Sequence, residues 1–309
     1  MRTSLERLSL PFVVAVLLVL PAFSGTALLL QVTSVLIFVL FACSLNLLVG
    51  TAGMVSMGHA AFFAIGGYTA GICARDMGMS FPVAVALGVL ASTAAALLVG
   101  SLSTRLSHAY FIMLTLAFGQ LIHALIWKWR ALTGGDDGFV GLQPPPPLQS
   151  VEAYYWFTLA ACLLCVVILW RITVSPFGVT LAAVRDNPSR ASAIGINVYR
   201  FRLAAFVMSG AFSGIAGILQ AFFSRGMFPD AANFSTSANA LVAILLGGSQ
   251  YFFGPIVGGM IFVIARNLIA EVTPYWPLIL GLMICLIAVY RPDGLLRLVR
   301  GKAPGVGHD

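Results

Sequence analysis

Charged residues are scarce in this chain of 309 residues: only 9% of them are Asp, Glu, Lys or Arg, whereas 60% are hydrophobic. About a quarter of the residues in an average soluble domain are charged. A soluble domain of this length could not keep so much apolar surface out of water, but a lipid bilayer can hold it. We therefore predict a polytopic all-α membrane protein with one transmembrane domain over residues 1–309, because helices satisfy their own backbone groups in lipid.

The sequence also lacks the motifs of catalysis and nucleotide binding. It contains no G-x-x-x-x-G-K-[ST] phosphate loop, no H-E-x-x-H zinc motif and no G-x-S-x-G nucleophile elbow. Cysteine is sparse, and the pair Cys162 and Cys165 lies in an apolar run without further ligands, which favours helix packing over a metal or redox site. We predict no cofactor and no enzymatic activity. Any ATP hydrolysis would belong to another chain.

Acidic residues are missing from the middle of every predicted span. Ion-coupled transporters usually carry ionisable or carboxylate groups at the membrane midplane. Their absence counts against an ion-coupled secondary transporter, which stays as the alternative from another class. The net charge is +7, but no run of basic residues with interleaved aromatics suggests nucleic-acid binding.

About 20 apolar residues are needed to cross the hydrocarbon core as a helix. Our best count is about ten spans, within a range of eight to ten. The segment 237–250 is short and is followed by glycines, so it is predicted as a broken or partly inserted helix. The candidate spans are 10–30, 31–49, 55–74, 82–103, 109–127, 154–172, 204–224, 237–250, 254–271 and 276–291.

The distribution of Lys and Arg predicts the orientation. With ten spans and the N-terminus inside, 12 of the 17 basic residues lie on the cytoplasmic side and 4 lie outside. Basic residues accumulate in cytoplasmic loops, so both termini are predicted to be cytoplasmic. A count that differs by two spans would keep the same pattern.

Two hydrophilic connections stand out. The periplasmic one, about 128–153, contains glycines and the run Pro144–Pro147, which favours a stiff extended segment. The cytoplasmic one, about 173–203, predicts two short helices. Asp186 or Asn187 would cap the second helix, Pro188 would be its first residue and Gly195 would end it. Helices this short need a surface to pack against, and a soluble partner protein is the obvious candidate.

Polar residues inside spans are functional candidates by default. Asn46, Ser56 and His59 are candidates for lining a pathway, although for His59 an interhelical hydrogen bond is the more common arrangement. Gln120, His123 and Gln220 are interpreted as packing or interface residues.

Several motifs resemble the branched-chain amino-acid ABC transporter permease family. They occur in the family's order and cover roughly residues 35–296. They are SLNLLVGTAGMVSMGHAAFFAIGGYTAG (44–71), RLSHAYFIMLTLAFGQLI (105–122), LTGGDDGFVG (132–141), the inner loop and following helix (175–219), LLGGSQYFFGPIVGG (245–259) and RPDGLL (291–296).

This resemblance implies a multi-pass protein of the bacterial inner membrane that works as one subunit of a larger transporter. The chain would be the longer of two related permeases, paired as a heterodimer, with two cytoplasmic ATPases and a periplasmic substrate-binding protein as partners. The inner loop would couple to the ATPases. The resemblance implies that the following residues couple to the ATPases: Val184, Arg185, Asp186, Asn187, Pro188, Ala193, Ile194 and Gly195.

The substrate is the least defined part of this expectation. The family carries Leu, Ile and Val, and relatives carry urea, short amides or other amino acids. A pathway lined by Asn46, Ser56 and His59 with apolar walls would suit a zwitterion or a neutral amide equally well.

Overall fold

We analysed a computed structural model, which describes residues 25–106 and 108–273 together with a few isolated positions between 21 and 282. The last predicted span, most of the first one, and both termini lie outside the described residues. The prediction of cytoplasmic termini is therefore not tested by the fold.

The first described helix, α1, spans Thr26–Asn46 and continues without interruption into a π-helix, Leu47–Ala52. The boundary predicted between residues 30 and 31 does not exist, because the run around it contains no helix-breaking residue. Gly53 ends the helix in the left-handed region, with φ of 66°. The chain then passes through an irregular segment, 53–58, before the next helix begins.

The helices that follow form the rest of the bundle. Helix α2 spans His59–Arg75, α3 spans Phe81–Ser103 and α4 spans His108–Lys128. Helix α5 spans Val151–Val174 and is followed by the two short helices α6, Pro176–Asp186, and α7, Pro188–Ala193. Helix α8 spans Val198–Phe223, α9 spans Phe234–Gly247 and α10 spans Gly254–Val272.

Six helices within the described residues are long and apolar enough to cross a membrane. Helix α9 is shorter, with 14 residues, and ends at glycines, so the predicted shortness of this segment is confirmed, whereas its partial insertion stays a prediction. The all-α bundle is thus observed, whereas the count of ten spans stays a prediction. The six spanning segments are Thr26–Ala52, Phe81–Ser103, Ala109–Lys128, Val151–Val174, Val198–Phe223 and Gly254–Glu271.

Small residues let α2, α3 and α8 pack at the centre of the bundle. A Cβ atom added to Gly66 of α2 would lie 2.6 Å from the Cα atom of Gly214 in α8. A Cβ atom added to Gly217 of α8 would overlap the backbone of Phe63. Such close backbone approach is the usual role of small residues spaced by four in membrane helices.

The two ends of the bundle differ. At one end, the loop end, α6 lies beside the π-helix, α7 lies against α6 and α8, and Arg105 lies over the ring of Tyr199 at 5.1 Å. At the other end, the sheet end, β1 (Phe139–Val140) pairs antiparallel with β2 (Gly226–Met227). This pairing ties the connection 128–153 to the end of α8. Within that connection Pro146–Leu148 forms a 3-10 turn, so the proline run is not extended throughout.

Arg75 links α2 to the sheet end. Its guanidinium lies 4.8 Å from the centre of the Phe139 ring and pairs with Asp76, with a closest N–O distance of 2.6 Å. The hydrogen bond from Arg75 lowers the pKa of the Asp76 carboxyl below its ordinary value. The pair is solvent-exposed, and its contribution to stability is accordingly small.

Candidate functional site

The α6–α7 loop has a well-defined start. The Ser175 hydroxyl accepts a hydrogen bond from the backbone N–H of Gly178 at 3.4 Å, and Pro176 is the first residue of α6. A serine cap followed by proline is a strong helix start. Leu181 and Val184 are fully buried, so α6 is anchored on the bundle by its apolar side.

The joint between the two short helices is capped as predicted. The Asn187 side-chain oxygen accepts a hydrogen bond from the backbone N–H of Arg190 at 2.9 Å, and Pro188 begins α7. Gly195 follows α7 with φ of 88°, a conformation that favours glycine. Between them Ile194 is 73% exposed. The loop therefore presents a large apolar side chain at a fixed position next to the end of α7.

The residues implied to couple to ATPases fall into two groups. Val184 is buried, and Arg185 and Pro188 are half-buried, so these three face the bundle. The others form the exposed surface of the loop: Asp186, Asn187, Ala193, Ile194 and Gly195.

Arg185 connects the loop to the π-helix. Its Nη1 atom donates to the Gly50 carbonyl oxygen at 2.6 Å, and its Nε atom donates to Asp186 at 2.9 Å. The same side chain covers Gly53, where an added Cβ atom would lie 2.5 Å from the Arg185 Cγ atom. Arg185 also approaches Gln250, between α9 and α10, at 3.5 Å. The Arg185 side chain thus contacts the π-helix, the segment that follows it, and the connection between α9 and α10. These contacts were not predicted from the sequence.

His59 occupies the first position of α2 and is fully buried. Its Nε2 atom lies 3.2 Å from the hydroxyl oxygens of both Ser44 and Ser209. Each serine hydroxyl donates its own hydrogen to a backbone carbonyl, that of Phe41 or of Ser44. Both serine oxygens therefore act as acceptors, so the Nε2 atom carries the imidazole hydrogen. His59 joins α1, α2 and α8 at this point.

Helix α9 reaches the same region from another direction. The backbone N–H of Ala60 donates to the Ser237 hydroxyl at 2.8 Å, which brings the beginnings of α2 and α9 together. Ser213 donates to the His59 carbonyl oxygen at 3.3 Å. The serines of this cluster were missed from sequence, because nothing in their spacing distinguishes them from serines that only allow close packing.

The other two pathway candidates are also buried in this conformation. The Ser56 hydroxyl and the Asn46 side-chain oxygen have no hydrogen-bond partner in the described part of the chain. Ser56 borders a narrow void between the segment 53–58 and α4. Asn46 lies at the junction between α1 and the π-helix. The structure thus brings Asn46 and His59 into the interior of one bundle and does not place them on its outer surface.

The family profile described as the permease component of the branched-chain amino acid transport system matches residues 27–288. The chain belongs to this permease family. It is a transport subunit and not an enzyme, as are its relatives.

Curated relatives with 24–30% sequence identity to this permease include permeases named for different solutes. The high-affinity branched-chain amino acid permease protein LivM of Salmonella typhimurium is 28% identical over 295 residues, covering 87% of this chain and 69% of LivM. LivM of Escherichia coli has the same identity and coverage. The autoinducer 2 import permease LsrC of Salmonella paratyphi B is 30% identical over 254 residues, covering 75% of this chain and 70% of LsrC. No solved structure matches the permease.

Proposed function

We propose that this permease is the membrane subunit of an ATP-binding cassette importer of the bacterial inner membrane, and that it forms part of the path for leucine, isoleucine and valine. The similarity to LivM, which is named for branched-chain amino acids, supports the substrate class. The similarity to LsrC, which is named for autoinducer 2, shows that some relatives are named for a different solute. Urea, short amides and other amino acids stay as the alternatives.

The α6–α7 loop carries the proposal for ATP coupling. Its inner side is fixed by the buried Leu181 and Val184, whereas Ile194 projects at its tip. An exposed large apolar side chain, held between the end of α7 and Gly195, suits a docking surface for a soluble protein. Two cytoplasmic ATPases would dock on this loop and on its equivalent in a second permease.

Arg185 supplies the route from this loop into the bundle. ATP binding would draw the ATPases together and displace the loop, and the contact from Arg185 to Gly50 would transfer that displacement to the π-helix. The segment 53–58 follows directly and leads to His59. The bundle would then shift between inward-facing and outward-facing populations, driven by the different contacts of the two ATPase states.

The remaining partners follow from the same proposal. LivM and LivH proteins are both among the relatives, which supports pairing with a related but different permease. A periplasmic binding protein would deliver the solute. We propose that Asn46, Ser56 and His59 contribute to the path only when the bundle opens, since all three are buried in the present conformation.

Uptake tests the proposed function directly. Cells would express this permease with its co-encoded ATPases, partner permease and binding protein, and would receive radiolabelled leucine or, separately, radiolabelled urea. ATP-dependent leucine uptake that is lost on deleting this permease is the expected result. Uptake of urea alone would replace the substrate class. ATP-independent uptake driven by a proton or sodium gradient would contradict the importer mechanism.

Ile194 offers a sharper test of docking. Replacing Ile194 by Asp places a charge at the apolar tip of the loop, whereas Ile194→Leu keeps its character. We expect Ile194→Asp to prevent co-purification of the ATPases while the permease still reaches the membrane, and Ile194→Leu to behave as the unsubstituted protein. Full recovery of ATPases with Ile194→Asp would contradict docking at this tip.

A further inference from the structure

One side of α4 faces away from the rest of the bundle and carries a polar side chain at mid-membrane depth. Gln120 is exposed and is the twelfth residue of the 20-residue span Ala109–Lys128. At about 1.5 Å per residue it lies more than about 10 Å from either end of the span. Within the part of the chain that the structure describes, its amide makes no hydrogen bond.

His123 lies one helical turn further along. Its Nε2 atom is buried and has no hydrogen-bond partner among the described residues. Residues three apart are neighbours on a helix surface, so Gln120 and His123 place two unsatisfied polar groups side by side. Lipid tails can satisfy neither group, and polar groups within spans usually face a partner or a water-filled cavity.

We define the Gln120 face as the outward stripe of α4 with the half-buried His123 at its edge. Its members are Met113, Ala117, Gln120, His123 and Ala124.

The inner side of α4 fixes the direction of this face. A Cβ atom added to Gly119 would lie 2.9 Å from the Cα atom of Gly58, and Thr115 is buried against the same segment. The Thr115 hydroxyl also accepts a weak hydrogen bond from the backbone N–H of Met57 at 3.4 Å. Helix α4 therefore cannot rotate to bury Gln120 without losing these close contacts.

The exposed surfaces of α3 and α5 at this depth are apolar, whereas α10 exposes Arg266, which has an interaction partner within the protein. The outward side chains in the middle of α5 include Leu164 and Val167, and those of α3 include Leu90 and Leu97. These surfaces suit contact with lipid. The Gln120 face differs from them in chemistry, because its centre is an amide.

We propose that the Gln120 face is the wall that this permease contributes to the solute path in the present conformation, between it and a second permease chain, whereas Asn46, Ser56 and His59 would join the path only when the bundle opens. The exposed Gln120 amide would hydrogen-bond a small zwitterion or neutral amide in passage, and Met113 would contact an aliphatic side chain. This inference rests on the proposed function, since it assigns the path of the same transporter to a particular surface.

Cysteine accessibility tests the assignment without requiring transport. The five native cysteines would be replaced by alanine, and Gln120→Cys or Ala117→Cys would be introduced one at a time into the complete transporter in nanodiscs. Leu164→Cys is the matched control, because Leu164 is 62% exposed on α5 and lies at similar depth. The measured quantity is the rate of modification by a charged, membrane-impermeant methanethiosulfonate reagent.

We expect the cysteines at positions 117 and 120 to react at least about tenfold faster than the one at position 164, since thiolates form in water and not in lipid. Rates equal to that of the control would overturn the proposal, because the face would then lie against lipid or in a dry protein interface. If leucine is not transported but position 120 still reacts rapidly, the substrate class fails while the assignment of the path stands.

Substitution of the amide provides the second arm. Gln120→Leu is expected to reduce solute uptake at least about tenfold while the transporter still assembles, and Gln120→Asn is expected to retain most uptake. Unchanged uptake with Gln120→Leu would overturn the role of the amide. A surface that only contacts lipid would accept a leucine side chain as well as a glutamine side chain.

Discussion

At the scale of single residues, His59 predicts a measurable effect on stability. His59→Leu removes the hydrogen that Ser44 and Ser209 share and leaves two buried oxygens without a donor. We expect a loss of about 2 kcal/mol in the free energy of unfolding. The variant His59→Gln carries an amide N–H donor of similar reach, so it should keep most of the free energy of unfolding.

The measurement can use the cysteines of the protein itself. Cys43, Cys73, Cys162 and Cys165 are all buried and free, so a thiol-reactive fluorophore would report unfolding on heating in detergent. Equal midpoints for the unsubstituted protein and His59→Leu would show that the hydrogen bonds to the two serines contribute nothing to the fold.

Arg185 makes a prediction about coupling. Gln at this position cannot donate to both Gly50 and Asp186, so the loop would lose its link to the π-helix. We expect the stimulation of ATP hydrolysis by loaded binding protein to fall at least about fivefold, within the usual range of coupling energies, while basal hydrolysis persists.

Arg190→Gln is the matched control for Arg185→Gln, because Arg190 belongs to the same loop but is exposed. Equal losses of stimulation in the two variants would indicate a general effect of charge on docking and would contradict a specific role for the contact between Arg185 and Gly50.

At the scale of elements, the centre of the bundle predicts sensitivity to added volume. Gly217→Ala would place a methyl group against the backbone of Phe63 in α2. Overpacking of this kind typically costs about 1–3 kcal/mol, and we expect the unfolding midpoint to fall by several degrees. Gly25→Ala is the control, because no atom of the described residues lies within 4 Å of a Cβ added there. The same thermal assay would contradict tight packing if both variants behaved alike.

The elements also show which parts of the fold can be predicted from sequence. The α6–α7 joint was predicted correctly because the Asn187 cap and Pro188 act within one helical turn. Likewise, the glycines after α9 indicated its early end. The boundary predicted at residue 30 was wrong, because apolar composition alone does not determine where one helix stops and the next begins.

Contacts between distant residues account for what the sequence could not show. The hydrogen bond between His59 and Ser209 joins residues 150 positions apart, and that between Arg185 and Gly50 joins residues 135 apart. The sequence singled out His59 and Arg185 but gave no reason to choose these partners. Burial also changes the interpretation of the pathway candidates. Asn46 and Ser56 were chosen because their side chains are polar, but a polar side chain can lie in the interior of a bundle as well as along a path.

At the scale of the whole molecule, the distribution of basic residues predicts how the bundle is oriented. Arg105, Arg185 and Arg190 lie at the loop end, whereas Arg75 and Arg225 lie at the sheet end. The positive-inside rule therefore predicts that the loop end is cytoplasmic. This orientation is also the one that the proposed docking of ATPases requires, because ATP is available to them only on that side.

Labelling from one side of the membrane tests this orientation. In a cysteine-free background, Ser192→Cys would expose a thiol at the loop end and Gln149→Cys would expose one at the sheet end, since both positions are exposed. In intact spheroplasts an impermeant maleimide should label position 149 and reach position 192 only after permeabilisation. The reverse pattern would place the α6–α7 loop in the periplasm, where no ATPase could dock, and the coupling mechanism would fail whatever the solute. The expected pattern would instead place the sheet end, with its β1–β2 pairing, on the side from which a binding protein delivers the solute.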